Sequence, residues 1–191
     1  EILEEPEPAE YLPFTRSIHH AARAVALAEL DRPAEARDEQ AAFLVQRKAV
    51  SVEAFFGNNQ ANDLLDVADR LVEGEILYRE GKKDEGIDVL YEAAAREDAL
   101  NYDEPPDWIQ PIRHALGATL MQERRWADAE KVYREDLARL PDNGWSLYGL
   151  GRALRMQDRG DEAKVVEARF DTVWADADTT LRSSCFCQPG V

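Results

Sequence analysis

The sequence predicts an all-α protein built from antiparallel helix hairpins. Apolar residues recur at intervals of three and four, as in Leu147, Leu150 and Leu154, and this spacing places them on one face of an α-helix. Residues with high helix propensity abound, whereas the alternation of apolar and polar residues that is typical of strands is nearly absent. Pairs of small residues also recur at a constant separation. These patterns predict about eight helices joined mostly by short links.

Turn-forming residues separate the periodic stretches and set the order of the elements. They occur at Asp31-Arg32-Pro33, Gly57-Asn58-Asn59, Gly81-Lys82-Lys83, Pro105-Pro106, Pro141-Asp142-Asn143 and Arg159-Gly160-Asp161. Proline is favoured at the first position of a helix, so Pro33 predicts the start of one. The chain therefore divides into helices that are joined mostly by short links.

Three regions follow from this division. We expect an N-terminal extension at 1–13, a helical repeat domain at 14–175, and a C-terminal cap and tail at 176–191, with a short helix at 176–183. The repeat domain is divided into hairpins at about 14–51, 60–100, 106–140 and 143–175.

The chain is strongly acidic. Its 191 residues include 23 lysines and arginines against 39 aspartates and glutamates, a formal net charge of −16. Such a surface repels phosphate backbones, so we expect no nucleic-acid partner. No apolar run approaches the roughly 20 residues that cross a bilayer, which predicts no membrane insertion. The chain begins at Glu1 without an initiator methionine or a signal sequence, and we expect a trimmed start and a cytoplasmic protein.

The small residues follow a repeat. In four places two of them stand 12 positions apart, and these pairs are Ala24 and Ala36, Gly74 and Gly86, Gly117 and Ala129, and Gly151 and Ala163. The last two pairs are offset by 34 residues, whereas the earlier offsets are 43 and 50. The surplus residues fall in the links "VSVEAFFGNNQ" and "NYDEPPDWI".

This pattern resembles the tetratricopeptide repeat family. Its 34-residue unit is a helix-turn-helix with Leu-Gly in the first helix, then alanine, an aromatic residue and proline. The third copy matches through Leu116, Gly117, Leu120, Ala129, Tyr133 and Pro141. The fourth departs from the pattern with Glu167 at the aromatic position and Ala175 at the proline position. The resemblance covers roughly residues 14–175 and implies an α-solenoid of about four hairpins.

Gly117 and Gly151 stand in the middle of predicted helices, where glycine costs roughly 1 kcal/mol relative to alanine. Helices approach closely only where the residue at the crossing is small, so we expect these glycines to contact Ala129 and Ala163. Each hairpin would then bury its remaining apolar face against a neighbour. The alternative is an ordinary helical bundle in which the glycines occur by chance.

The residue pattern does not suggest an active site. The three histidines are scattered, without His-Glu-x-x-His spacing, and no glycine-rich phosphate loop follows a strand. The carboxylates are distributed as on solvated helix faces and do not single out an acid-base pair. We therefore expect a protein that is not an enzyme and has no resident cofactor.

The C-terminal stretch "SSCFCQPG" contains both cysteines, Cys185 and Cys187. Two thiols separated by one residue can chelate copper or zinc ions, or close a small disulfide. A structural zinc site needs four ligands, so His19, His20 or another chain would have to complete it. A soft-metal or redox protein is therefore the alternative function. The cysteines are otherwise incidental, or pack as small apolar groups.

In the tetratricopeptide family the first helix of each hairpin lines a concave groove that binds a partner. The resemblance assigns to this groove Ala68, Leu71, Glu75, Tyr78 and Arg79, then Pro111, His114, Ala118, Met121 and Gln122, and finally Trp145, Tyr148, Arg152, Arg155 and Met156. It therefore implies a scaffold that binds an extended segment of another protein.

The last hairpin concentrates residue types that are enriched at binding hot spots: two arginines, two aromatic residues and a methionine. We expect it to bind a peptide with an acidic group and an apolar side chain, because arginine binds carboxylates and aromatic rings supply contact area. The competing interpretation is that Trp145 and Tyr148 pack against the C-terminal helix at 176–183, since the end of a solenoid needs covering.

The link "NYDEPPDWIQP" is longer than a repeat turn requires. Its two prolines stiffen it, and Trp108 is expected either to fold over the groove or to pack between hairpins. The link is also similar to a segment in the C-terminal portion of longer bacterial repeat proteins, in agreement with a trimmed start.

Overall fold

The computed structural model describes residues 1–185, which contain eight α-helices and one small antiparallel sheet. The predicted all-α class is confirmed, and the sheet is a local addition that the sequence did not indicate. The elements are α1 (Pro13–Glu29), α2 (Pro33–Arg47), β1 (Phe55–Phe56), β2 (Asn59–Gln60), α3 (Ala61–Arg79), α4 (Lys83–Asp98), α5 (Ile112–Gln122), α6 (Trp126–Arg139), α7 (Gly144–Arg155) and α8 (Gly160–Val173). They form two compact units, unit 1 (Glu1–Ile112) and unit 2 (Arg113–Val191).

The same turn occurs inside each of the four helix pairs. One residue of the turn has a left-handed backbone, with φ between 57° and 86°, and these residues are Asp31, Gly81, Arg124 and Asp158. The next residue donates its N–H to the carbonyl of a leucine five positions earlier, namely Leu27, Leu77, Leu120 or Leu154. This hydrogen bond is that of a Schellman cap, which ends a helix and reverses the chain.

In unit 1, α3 packs against α1, α2 and α4. Its core includes Phe43, Val72 and Ile76, all fully buried. Trp108 packs both against this core and against a second cluster around Ala93. Of the two placements expected for Trp108, the structure therefore supports packing, with the half-buried ring between two core clusters of unit 1.

The backbones of α3 and α4 touch where the sequence has glycine in both helices. A Cβ atom on Gly86 would lie 2.7 Å from the carbonyl oxygen of Gly74 and 2.7 Å from the backbone nitrogen of Tyr78. Backbone atoms cannot move aside as a flexible side chain can, so this crossing requires glycine. The expected close approach is thus most direct in the second hairpin.

In unit 2 an aromatic ring packs against two of the helix glycines. The Tyr133 ring lies against both Gly117 and Gly149, where an added Cβ would come within 2.3 Å and 2.4 Å of it. At Gly151 the contact is looser, since a Cβ would lie 3.2 Å from Cγ of Glu167. The expectation that Gly117 and Gly151 contact the two alanines is therefore corrected, because a buried tyrosine ring and a glutamate chain are nearer.

The end of the described chain is not helical. The predicted helix at 176–183 is wrong, since residues 174–185 form turns and bends. The indole Nε1 of Trp174 donates a hydrogen bond to the carbonyl of Thr179 at 2.8 Å, which closes a loop in place of a helical turn. The stretch is rich in aspartate and threonine, which are poor helix formers. Leu181, Ser184 and Cys185 are nevertheless buried, so the irregular segment covers part of the unit 2 core.

Candidate functional site

Two helices of unit 2 place four aromatic rings next to one another. Trp145 and Tyr148 lie three positions apart on α7, and Phe170 and Trp174 lie at the end of α8 and just beyond it. Such spacings put both members of each pair on one helix face. Ring centroids are 6.0 Å apart for Trp145 and Trp174, 5.7 Å for Trp174 and Phe170, and 5.8 Å for Phe170 and Tyr148. We call these four residues, with Arg152, the aromatic surface.

The start of α7 holds this surface in place. The side chain of Asn143 accepts hydrogen bonds from the backbone N–H groups of Trp145 and Ser146, which is an N-cap. The Trp174 ring lies on Gly144, where a Cβ would come within 2.3 Å of the ring. All four rings of the aromatic surface are half-buried, so each keeps part of its surface accessible to solvent.

The two arginines predicted for the site differ in their partners. Arg152 donates a hydrogen bond to the Tyr148 hydroxyl at 3.0 Å, and its guanidinium lies 5.8 Å from the centroid of that ring. No carboxylate of the described residues pairs with it. Arg155 is bound by both oxygens of Glu167, at 2.8 Å and 2.5 Å, and this pairing lowers the pKa of the Glu167 carboxyl. One cation of the predicted pair is therefore available to a ligand.

A buried polar cluster lies behind the aromatic surface. The His114 ring stacks on Trp145, with centroids 6.4 Å apart, and its Nε2 is 3.4 Å from Oδ2 of Asp136. The hydroxyl of Ser146 donates to the same Oδ2 at 2.6 Å. Serine and histidine thus share one aspartate oxygen, unlike a nucleophilic triad, in which the histidine lies between the serine and the acid. Of the groove residues predicted here, His114 supports Trp145 from inside.

The other predicted groove residues of unit 2 lie at helix ends. Met121 and Gln122 are half-buried in the last turn of α5, whereas Met156 is exposed just after α7. Sequence reasoning missed Phe170 and Trp174, which complete the aromatic surface. Their spacing of four residues on one helix was the available signal.

In unit 1 the predicted groove residues are enclosed. Tyr78 is buried, and Arg79 forms an ion pair with Glu29 of α1 at 2.6 Å. Beside this pair, the Glu75 carboxyl is fully buried next to the Glu29 carboxyl. Burial and the nearby Glu29 carboxylate raise the pKa of Glu75 to about 8, so its side chain is mostly protonated at neutral pH.

Cys185 is buried and disulfide-bonded, while Cys187 lies outside the described residues. A disulfide sulfur is not the thiolate that a soft metal ion requires. Within residues 1–185, no group of three or more histidine, cysteine or acidic side chains is arranged to hold a metal ion. In the same part of the chain, no helix is both long and apolar enough to cross a membrane.

Comparison with protein-family models, curated proteins and solved structures finds no match.

Proposed function

We propose that this chain is a scaffold of the tetratricopeptide-repeat type, an α-solenoid whose aromatic surface binds an extended segment of another protein. The observation that supports this function is Arg152, a guanidinium without a carboxylate partner among the described residues, held at the edge of four half-buried rings. The recurrence of one turn geometry in all four helix pairs and the 34-residue offset support the repeat assignment.

The ligand follows from the chemistry of these groups. A carboxylate would form charge-assisted hydrogen bonds with Arg152, which are stronger than bonds between neutral groups. An adjacent aliphatic or aromatic side chain would pack on the exposed sides of the Tyr148 and Phe170 rings. Because Glu167 already neutralises Arg155, the ligand needs one acidic group at this point and not two. The preferred segment is therefore apolar with a single carboxylate.

Arg152→Ala tests this proposal against Arg134→Ala. Both arginines are exposed, but Arg134 is paired with Glu130 on α6, which makes it the matched control. Binding is measured by fluorescence anisotropy with a labelled peptide of leucines around one aspartate, and with its asparagine counterpart. We expect Arg152→Ala to weaken binding of the aspartate peptide by about 10-fold and to remove its advantage over the asparagine peptide. Equal losses in the two arginine variants, or no preference for aspartate in the wild type, would refute the proposal.

The second candidate function is thiol redox chemistry, which the disulfide at Cys185 favours over metal binding. Reduced protein is titrated with Zn(II) and with Cu(I), and the Cys185→Ser variant serves as the control. Uptake of about one ion that Cys185→Ser abolishes would instead support the soft-metal alternative.

A further inference from the structure

Three segments of unit 1 contact one another, two of them between helices and the third running from Glu1 into the first turn of α1, and their exposed side chains are described as one surface. Residues 51–60 and 101–111 are joined by hydrogen bonds of the buried Asn59, whose side-chain amide donates to Oδ2 of Asp107 at 2.8 Å and accepts from the backbone N–H of Asn101 at 2.7 Å. Residues 1–14 join them through the rings of Phe14 and Phe56, which stack with centroids 5.1 Å apart. These contacts hold three otherwise irregular segments together.

This surface displays the most exposed aromatic side chains of the described residues. They are Tyr11, Tyr102, Phe55 and Phe56, which are 82%, 77%, 65% and 46% exposed. Leu12, Val52 and Ile109 are also exposed in the same three segments. Large apolar side chains that are exposed on joined segments of an otherwise charged protein are typical of a binding site. Side chains held in place on a fixed backbone also lose less entropy on binding than those of a mobile loop.

The charged side chains within these three segments are all acidic, although Glu7 is paired with Arg16 and His20 of α1. The three segments contain nine aspartates and glutamates, five in residues 1–14, one in 51–60 and three in 101–111. They contain no lysine, arginine or histidine, although the whole chain has 23 lysines and arginines. Glu10, Glu53 and Glu104 are exposed beside the aromatic side chains. A partner must therefore combine apolar anchors with positive charge.

We propose that this surface, the acidic patch of unit 1, binds a basic amphipathic segment of another protein, in which lysines or arginines flank aliphatic or aromatic side chains. A second copy of this chain does not meet the requirement, because each copy has a net charge of −16 and presents the same acidic patch. Anionic lipid surfaces and acidic peptides are repelled for the same reason. The patch thus differs in charge preference from the aromatic surface around Arg152, and the two are independent sites.

The test measures binding of a fluorescein-labelled peptide of alternating lysine and leucine to the full chain, with a glutamate-leucine peptide as the charge control. We expect the lysine peptide to bind and the glutamate peptide to fail. Phe55→Ser and Tyr102→Ser should each weaken binding by about 10-fold, as for aromatic hot-spot residues. Glu104→Lys should weaken binding and reduce its dependence on salt. Phe55 and Tyr102 are mostly exposed, so both serine variants should unfold at the wild-type temperature.

Two matched controls separate this site from others. Val45→Ser removes an equally exposed apolar side chain, 63% exposed on α2 of the same unit, and should leave the affinity unchanged. Arg152→Ala should also leave it unchanged, because the patch does not use the aromatic surface. Wild-type affinity in both Phe55→Ser and Tyr102→Ser, or an equal loss in Val45→Ser, would overturn the proposal.

Discussion

Replacement of Glu75 by glutamine should make the protein more stable, and the gain should grow with pH. The pKa of this carboxyl is about 8 in the folded chain, against 4.5 for an unperturbed glutamate. Between these values the folded state keeps a proton that the unfolded state has released. Stability from this group is therefore fully present below pH 4.5 and is lost as the pH rises toward 8.

The magnitude follows from the size of the pKa difference. Each pH unit within this window changes the free energy of unfolding by about 1.4 kcal/mol. A rise from pH 5 to pH 8 should thus lower the stability of the wild type by on the order of 3 kcal/mol through Glu75 alone. Glutamine has nearly the same shape and stays neutral, so Glu75→Gln removes this loss. The two proteins should differ by under about 1 kcal/mol at pH 5 and by on the order of 4 kcal/mol at pH 8.

The assay is urea unfolding at pH 5, 6, 7 and 8, followed by far-ultraviolet circular dichroism. Glu73→Gln is the control, because Glu73 lies on the same helix but is bonded to Arg37 and Gln40, which lower the pKa of its carboxyl. A carboxyl whose pKa is lowered by folding stabilises the protein at pH values above its pKa in the unfolded state. Glu73→Gln should therefore lower the free energy of unfolding at pH 8, the opposite of Glu75→Gln. Parallel pH profiles for the wild type and Glu75→Gln would refute the reasoning.

Three further predictions concern stability and use the same urea assay. Gly86→Ala should lower the free energy of unfolding by about 2 kcal/mol or more, because the added Cβ meets backbone atoms. Gly81→Ala, at φ 86° in open space, should lower it by about 1 kcal/mol. A larger loss for Gly81→Ala than for Gly86→Ala would contradict the close helix crossing. Tyr133→Phe should cost about 1 kcal/mol by removing the buried 2.6 Å hydrogen bond to Ser184, and an unchanged midpoint would show that the bond is not formed. Asn59→Ala should cost about 2 kcal/mol, since it leaves buried polar groups of the acidic patch without partners, and a neutral result would argue against the joined segments.

The helices, and the turns inside three of the four helix pairs, could be predicted from the sequence because both depend on local physics. The turn at Arg124 was missed because it contains neither glycine nor proline. The leucine, the left-handed residue and the following basic residue recur in fixed order, as in Leu154, Asp158 and Arg159. In the three turns that contain arginine at this last position, its side chain also binds an acid three residues later, as Arg159 binds Glu162 at 2.6 Å. Each interaction lies within one or two helical turns of the chain.

The candidate site was predictable only in part. Trp145, Tyr148 and Arg152 were assigned to a groove by the resemblance to the tetratricopeptide pattern, which fixes their positions relative to Gly151. The neutralisation of Arg155 by Glu167 was not, because the two residues belong to different helices. The same reason accounts for Phe170 and Trp174, whose rings reach Tyr148 and Trp145 from α8.

The sequence by itself determined the helical class, the turns inside three of the four helix pairs, and the presence of glycine in the middle of several helices. Only the tertiary structure decided what meets each glycine, which arginine is left without a carboxylate partner, and how the two long links join around Asn59. The physical reason is the range of the interactions. Backbone hydrogen bonds and turn conformations depend on near neighbours in the chain, whereas ring packing, ion pairing and desolvation depend on which distant residues the folded chain brings together.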